Sequence, residues 1–321
     1  MKLDGYTIKN FIGALSEPDR ILGEVQRWEK AAKRRCLEVN SQWYSYYRDD
    51  SGFDVFQEDW DNLLIIDAAR PDILREIAPS DWSIDIRRSP GTYSFEFMEN
   101  SFLPGPHHDT VYITANPHAA KLPNDLFHAT YNLLNSKWND EKRTVLPEEV
   151  VDSTLSLASV YPNKRLLVHL MQPHFPFIGE LGRQLEHGGV EMHLSDNEQS
   201  EEPHPWDRRM FNRDIEHETL LKAFKENHEI ALEHAEDIVD ALDGKSIITA
   251  DHANLLGERG FPIPIRMYGH PQNMHKRELI EVPWIEIPGD RRDISADPPR
   301  SRNPLDDEIA KDRLQKLGYM R

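Results

Sequence analysis

Residues 245–271, KSIITADHANLLGERGFPIPIRMYGHP, decide the fold that we expect for this chain. The segment opens with the β-branched run at 246–249, a composition typical of a strand buried on both faces of a sheet. Asp251 and His252 follow directly, and His270 comes after a loop that contains glycines. Carboxylate and imidazole groups are ligands of divalent metals. The segment therefore predicts a metal site at the end of a strand.

Two other apolar runs of strand length are also associated with polar side chains. Residues 62–67, NLLIID, end in Asp67, and the run at 165–171 contains His169 and is followed by His174. The carboxyl ends of parallel strands line the ligand crevice of a sheet, so we expect Asp67 and His174 near the first segment. An N-cap of the next helix is the alternative for Asp67. We interpret His169 as a hydrogen-bonded histidine of the core or of the support around a ligand.

A hydroxyl-rich junction lies between these strands, in residues 84–102. Thr92 and Ser94 stand where a β-like edge, closed by SPG, passes into an amphipathic helix. Backbone N–H groups at a helix N-terminus stabilise an anion, and a hydroxyl placed there can be a nucleophile when a metal lowers its pKa. Both side chains could instead be helix caps.

The remaining segments predict an α/β protein with one domain over residues 1–321. It carries an N-terminal helical extension at 1–58 and a polar insertion at about 180–214, which could be a lid over the substrate. We expect mixed helix and loop at 121–140, and a solvated helix face at His228. Helical periodicity predicts three long helices, at 17–40, 147–161 and 215–242.

Composition excludes several classes of protein. The formal charge is −18, from 56 acidic and 38 basic side chains, which disfavours binding to nucleic acid and indicates adaptation to high salt. Cys36 is the only cysteine, so neither an intramolecular disulfide nor a thiolate cluster can form. The sequence shows no signal peptide and no run of 18 apolar residues, which predicts a cytoplasmic protein without a transmembrane segment. The oligomeric state is not predicted.

Six motifs, in order, resemble the alkaline phosphatase and sulfatase superfamily. They are IIDAARPD, TVYITANP, LLVHLMQPHFPFIG, ITADHANLLGERG, YGHP and LIEVPWIEI. More narrowly, they are similar to the sulfatase-like proteins of haloarchaea, and the tail DDEIAKDRLQKLGYM resembles the final helix of that group. The resemblance covers residues 61–321. It implies an alkaline-phosphatase-like three-layer sandwich, with a mostly parallel central sheet flanked by helices.

The same resemblance implies roles for individual residues. His174 would contact the substrate or a second metal, and Ser94, with Thr92 as the alternative, would be the nucleophile. Arg70 is either a bidentate partner of phosphoryl oxygens or an ion-pair partner of Asp72. The expected cofactor is Zn or Mn, with Mg or Ca as alternatives. The implied metal ligands are Asp67, Ser94, Asp251, His252 and His270.

Two departures from the family pattern shape the expected function. Ala253 stands where the common triplet DHG has glycine, and no cysteine occurs in the signature that sulfatases convert to formylglycine. We therefore expect a metal-dependent hydrolase or transferase that acts on phosphate, or sulfate, esters of small molecules, glycans or lipids. The alternative is a catalytically inactive scaffold or binding protein in surface-polysaccharide assembly. The acidic balance disfavours a nuclease.

Overall fold

A computed structural model of the chain describes residues 18–47, 52–185 and 204–300. The predicted C-terminal helix and residues 186–203 of the polar insertion lie outside these ranges. In chain order the described strands are β1 (Asn62–Ile66), β2 (Asp85–Arg88), β3 (His107–Thr114), β4 (Phe127–Asn132), β5 (Trp138–Asn139), β6 (Thr144–Val145), β7 (Arg165–Leu170), β8 (Ser246–Thr249), β9 (Leu255–Arg259), β10 (Arg266–Gly269) and β11 (Glu281–Ile287).

Seven of these strands form the central sheet, in the order β2-β11-β8-β1-β7-β3-β4. The five strands from β8 to β4 are parallel, whereas β11 pairs antiparallel with both β8 and β2. Ile65 of β1 lies opposite Thr249 of β8 and His169 of β7. The carboxyl ends of these three strands therefore lie side by side.

The described α-helices are α1 (Pro18–Tyr46), α2 (Pro71–Ile77), α3 (Ser94–Ser101), α4 (Pro147–Val160), α5 (Glu180–Arg183), α6 (Pro205–Asp207), α7 (His217–Ala241) and α8 (Arg277–Ile280). The three predicted long helices are confirmed as α1, α4 and α7, and α1 continues beyond the predicted end to Tyr46. None of the described helices is both long and apolar enough to cross a lipid bilayer.

Side chains from both faces of the sheet are buried, which explains the apolar runs in the sequence. Leu64 and Ile66 of β1 pack in one core, which includes residues of α4 and α7. Leu63 and Ile65 point the other way, into a second core that includes Phe97 of α3. The expected class is therefore confirmed: a mostly parallel sheet with helices on its faces.

A strap formed by residues 295–300 crosses the amino ends of three parallel strands. Backbone N–H groups of Ser295, Asp297 and Arg300 donate to carbonyl groups of Asn163, His108 and His128, which precede or begin β7, β3 and β4. Lys164, only 4% exposed, donates to the Asp297 carboxylate at 2.5 Å. The strap closes the end of the sheet opposite to the predicted site.

Two sequence-based expectations are wrong. Residues 127–132, expected within mixed helix and loop, form the parallel edge strand β4, because pairing with β3 fixes this weakly patterned segment as a strand. His228, expected on a solvated face, is fully buried. Its Nε2 accepts from the backbone N–H of Arg70 at 3.0 Å, and its Nδ1 contacts the Phe224 carbonyl at 2.8 Å. The first bond ties α7 to the loop after β1.

The described end of the polar insertion packs on the domain instead of projecting from it. Trp206 and Met210 are buried in an apolar cluster with Phe175, Phe177 and other residues. His204 stands beside the Phe175 ring, with 3.9 Å between ring centroids. This part of the insertion therefore packs against the loop that carries His174.

Gly244 allows the chain to turn from α7 into β8. Its φ is +100°, a conformation that favours glycine, and a Cβ atom there would lie 2.7 Å from the Cβ of Asp61. We expect Gly244→Ala to lower the free energy of unfolding by about 1–3 kcal/mol, measured by urea denaturation. The matched control is Gly23→Ala in α1, where no atom lies within 4 Å of the added Cβ. That substitution should be neutral or stabilising by about 0.5–1 kcal/mol, and equal effects at the two positions would contradict the prediction.

Candidate metal centre

Neighbouring parallel strands deliver the acidic residues of the site. Asp67 follows β1, and Asp251 with His252 follows β8. The backbone turns sharply after Asp67, where Ala68 adopts a left-handed conformation with φ 64°. This turn aims the Ala68 N–H at Asp251 Oδ1, 3.1 Å away, and the His252 N–H donates to the same oxygen at 2.9 Å. Asp251 is thereby oriented with Oδ2 directed away from the backbone donors.

Three donor atoms converge in the interior. Asp67, Asp251 and His252 are fully buried, and each offers an atom within 4.8 Å of the others. His252 Nε2 lies 3.6 Å from Asp67 Oδ1 and 3.7 Å from Asp251 Oδ2. Within the described ranges none of these three atoms has a hydrogen-bond partner. Buried polar atoms without partners are costly, and a divalent cation among them would satisfy all three. The residues therefore fit the expected metal.

The electrostatics of the two carboxylates support this fit. Burial and the neighbouring Asp251 carboxylate raise the pKa of Asp67 well above its usual value. Burial also acts to raise the pKa of Asp251, but His252 and His169 outweigh it, so that pKa is lowered. In the absence of a cation, a proton on Asp67 relieves the repulsion of the pair. A bound divalent cation would take the place of that proton.

Ser94 lies next to this pair. It is the first residue of α3 and is 6% exposed. Its hydroxyl donates to Asp67 Oδ2 at 3.2 Å. Asn116 Nδ2 donates to the same Asp67 oxygen at 2.7 Å and to Ser94 Oγ at 3.0 Å. Asn116 was not predicted as a site residue, although its position just after the carboxyl end of β3 is the signal that could have found it.

Thr92, the alternative nucleophile, is placed differently. Its hydroxyl donates to Glu96 Oε2 at 2.7 Å and accepts from the backbone N–H of Asn273 at 3.0 Å. Its own backbone N–H donates to the same Glu96 oxygen at 2.7 Å. Glu96 is further held by His275, at 3.1 Å. These bonds give Thr92 a structural role at the start of α3, as in a helix cap.

Two predicted histidines, His174 and His270, lie close to His252. The His270 ring centroid lies 4.6 Å from that of His252 and 5.0 Å from that of His174. His270 is only partly buried, and its Nδ1 is 3.1 Å from Asn254 Oδ1. It is outside the three-donor group described above. The structure therefore brings His174 and His270 to the site, and their roles as ligands or substrate contacts stay predictions.

Asn227 of α7 holds the loop that carries His174 through hydrogen bonds to the loop backbone. Asn227 Nδ2 lies 3.1–3.2 Å from the carbonyl oxygens of Pro173, His174 and Pro176. Asn227 is fully buried, and its Oδ1 accepts from the Ile178 N–H at 2.9 Å. One amide side chain thus positions four residues of the loop, which keeps the His174 ring near His252.

Arg70 makes the ion pair that was one of its two predicted roles. Its Nε and Nη2 donate to the two oxygens of Asp72, at 2.8 and 2.6 Å. Its Nη1 donates to Glu258 at 2.8 Å and to the Asn254 carbonyl at 2.7 Å. The guanidinium therefore braces the loop after β8 against the loop after β1. A contact with phosphoryl oxygens has no support from this arrangement.

Ala253, which stands at the third position of the DHA triplet, adopts an ordinary backbone conformation. It is fully buried, its N–H donates to the Leu279 carbonyl at 2.8 Å, and its φ is not in the left-handed region. The backbone at this position therefore accepts a side chain.

Comparisons with known proteins give a distant structural likeness. No family model and no curated protein matches the chain. The periplasmic domain of phosphoethanolamine transferase EptC from Campylobacter jejuni is 12% identical over 71% of this chain and 78% of its own, with a TM-score of 0.45. The zinc complex of the Escherichia coli EptC domain is 12% identical over 75% and 76%, with a TM-score of 0.46.

A third solved structure, phosphoethanolamine transferase A from Neisseria meningitidis, is 10% identical over 71% of this chain, with a TM-score of 0.45. The chain spans 47% of that integral membrane protein. Because the identities are 10–12% and the TM-scores are below 0.5, the likeness carries no conclusion about the activity of this chain.

We expect metal binding to stabilise the protein through Asp67. Zn²⁺ or Mn²⁺ at about 100 times its Kd should raise the free energy of unfolding by about 2.7 kcal/mol, seen as a higher Tm. Asp67→Asn keeps the shape but removes a ligand charge, so it should abolish this rise. It should also raise the Tm of the metal-free protein at neutral pH, because the amide removes the free-energy cost of holding a second carboxyl group, with its raised pKa, beside Asp251.

The matched control is Asp109→Asn, which removes a carboxylate 3.6 Å from Arg165 at the opposite end of the sheet. This variant should respond to the metal like the wild type. An Asp67→Asn variant that is still stabilised by the metal would contradict the assignment.

Proposed function

We propose that the protein is a metal-dependent enzyme of the alkaline phosphatase and sulfatase superfamily that transfers the phosphoryl group of an ester. The observation that carries the proposal is the position of Ser94: a hydroxyl at a helix N-terminus, 3.2 Å from a carboxylate of the three-donor group. A nucleophile, acidic ligands and helix N–H groups in one place are the parts that this chemistry requires.

Ser94 acts as the nucleophile in this proposal. Its Oγ attacks phosphorus, the ester P–O bond breaks, and the hydroxyl proton passes to Asp67 Oδ2, which already accepts it as a hydrogen bond. Asn116 Nδ2 donates to Ser94 Oγ and to Asp67 Oδ2. These two bonds hold the hydroxyl beside the carboxylate oxygen that accepts its proton. Asp67, Asp251 and His252 would hold the metal, which supplies Lewis-acid stabilisation of the developing charge.

The departing alcohol needs a proton, and His174 and His270 are the ionisable side chains grouped beside His252. Either imidazole could donate it. Transfer of the phosphoryl group from Ser94 to water would make the enzyme a hydrolase, and transfer to another alcohol would make it a transferase. The chemistry suits a small-molecule, glycan or lipid ester, and Zn or Mn suits the mixed oxygen and nitrogen donors.

The test compares Ser94→Ala with a matched serine on the same helix. Ser101 is also buried in α3, at 2% exposure, but lies at its other end. With metal supplied, kcat on aryl phosphate monoesters and diesters should fall by at least about 10³-fold in Ser94→Ala, because the nucleophile is lost. Ser101→Ala should keep wild-type kcat.

Metal affinity measured on the same samples separates the outcomes. Undiminished turnover by Ser94→Ala would contradict the assignment of the nucleophile. Tight metal retention by the wild type, without turnover of any phosphate or sulfate ester, would favour the scaffold alternative.

A further inference from the structure

We propose that His169 is a further protein ligand of the metal, beside Asp67, Asp251 and His252. The residue lies on β7, the strand next to β1, and its register places it opposite Ile65 and Thr114 of the two flanking strands. It is fully buried. From the sequence we expected a core or supporting histidine, but the two ring nitrogens show a different arrangement.

The Nε2 atom of His169 faces both carboxylates. It lies 3.7 Å from Asp251 Oδ2 and 3.8 Å from Asp67 Oδ2, too far for hydrogen bonds. His252 Nε2 stands 3.7 Å from the same Asp251 oxygen and 3.6 Å from the other Asp67 oxygen, Oδ1. Tetrahedral ligands at about 2.1 Å from zinc are roughly 3.4 Å apart. Both imidazoles therefore stand near this spacing from Asp251 Oδ2, the oxygen that they share, although His169 lies outside the three-donor group described above.

The other ring nitrogen of His169, Nδ1, has a hydrogen-bond partner in the protein. His169 Nδ1 lies 3.0 Å from the Tyr112 hydroxyl, and Tyr112 is fully buried on β3. A histidine that binds a metal through one nitrogen commonly has its other nitrogen held by a hydrogen bond, which orients the ring. When Nδ1–H donates to the Tyr112 oxygen, the Nε2 lone pair is directed at the carboxylates.

A purely structural histidine would satisfy both nitrogens within the protein. His228, equally buried, does so through the Arg70 N–H and the Phe224 carbonyl. In contrast, His169 Nε2 has no hydrogen-bond partner within the described ranges. Leaving a buried imidazole nitrogen unpaired costs free energy, and a cation at the carboxylates would offset it. This contrast between two core histidines separates a ligand from a packing residue.

A second imidazole ligand also narrows the choice of metal. Two carboxylates and two imidazoles form a borderline donor set, which suits Zn or Mn better than Mg or Ca, since the latter two prefer oxygen ligands. The inference rests on the metal centre of the proposed function and not on phosphoryl transfer.

The experiment counts imidazole ligands directly. Zn K-edge X-ray absorption on the zinc-loaded wild type, His169→Phe and His270→Ala gives the number of imidazoles bound to zinc. The visible spectrum of the Co²⁺-loaded proteins reports the same ligand set. His169→Gln is a second variant in case phenylalanine prevents folding, and circular dichroism verifies the fold of each. Tyr112→Phe removes the hydroxyl that contacts Nδ1 and leaves the imidazole in place.

We expect one imidazole fewer in His169→Phe than in the wild type, a shifted Co²⁺ spectrum, and Zn²⁺ affinity lower by more than about 100-fold. Tyr112→Phe should weaken affinity about 10- to 100-fold with the imidazole count unchanged. An equal imidazole count and an unshifted spectrum in both His169 variants would overturn the inference. Failure of the wild type to bind metal overturns it together with the metal centre, whereas metal binding without ester turnover overturns only the proposed function.

Discussion

Two carboxylates buried side by side form the constraint on which the site depends. Asp67 and Asp251 end neighbouring strands, both are fully buried, and no lysine or arginine has an ion pair with either one in the described ranges. Such a pair is strongly unfavourable unless protons, hydrogen bonds or a cation compensate. The surrounding side chains supply hydrogen bonds from Ser94 and Asn116 and two imidazoles, which is the environment of a cation site.

The start of α3 decides which hydroxyl faces this pair. Thr92 and Ser94 are two residues apart, and sequence patterns place both at the junction without choosing between them. The Thr92 hydroxyl donates to Glu96, whereas the hydroxyl of Ser94, the first residue of the helix, donates to Asp67. Gly91 makes the turn compact, because a Cβ there would lie 2.3 Å from the Phe97 nitrogen. Which of the two hydroxyls faces the carboxylates is therefore a consequence of local helix geometry.

The parallel core of the sheet was predictable, because strands buried on both faces are apolar runs that end in polar residues. Strand β4 was not predictable, because the apolar pattern of an edge strand is weaker. Its strand conformation depends on pairing with β3. Asp67, Asp251 and His252 were found from their positions after strands. Asn116 was missed although it, too, follows the carboxyl end of a strand. The orientation of His169 was not predictable, because it depends on a contact between residues distant in sequence, the one with Tyr112. The ion pair between Arg70 and Glu258, a residue of another loop, was not predicted, for the same reason.

The strap at residues 295–300 has a consequence for how the chain acquires its structure during synthesis. Strands β3, β4 and β7 emerge from the ribosome well before the residues that cover their amino ends. Until then, the carbonyl groups of His108, His128 and Asn163 stay hydrated, and Lys164 lacks its carboxylate partner. The strand ends that carry Asp67 and Asp251 therefore need no hydrogen bond from residues 295–300, which complete the opposite end of the sheet after the strands have been synthesised.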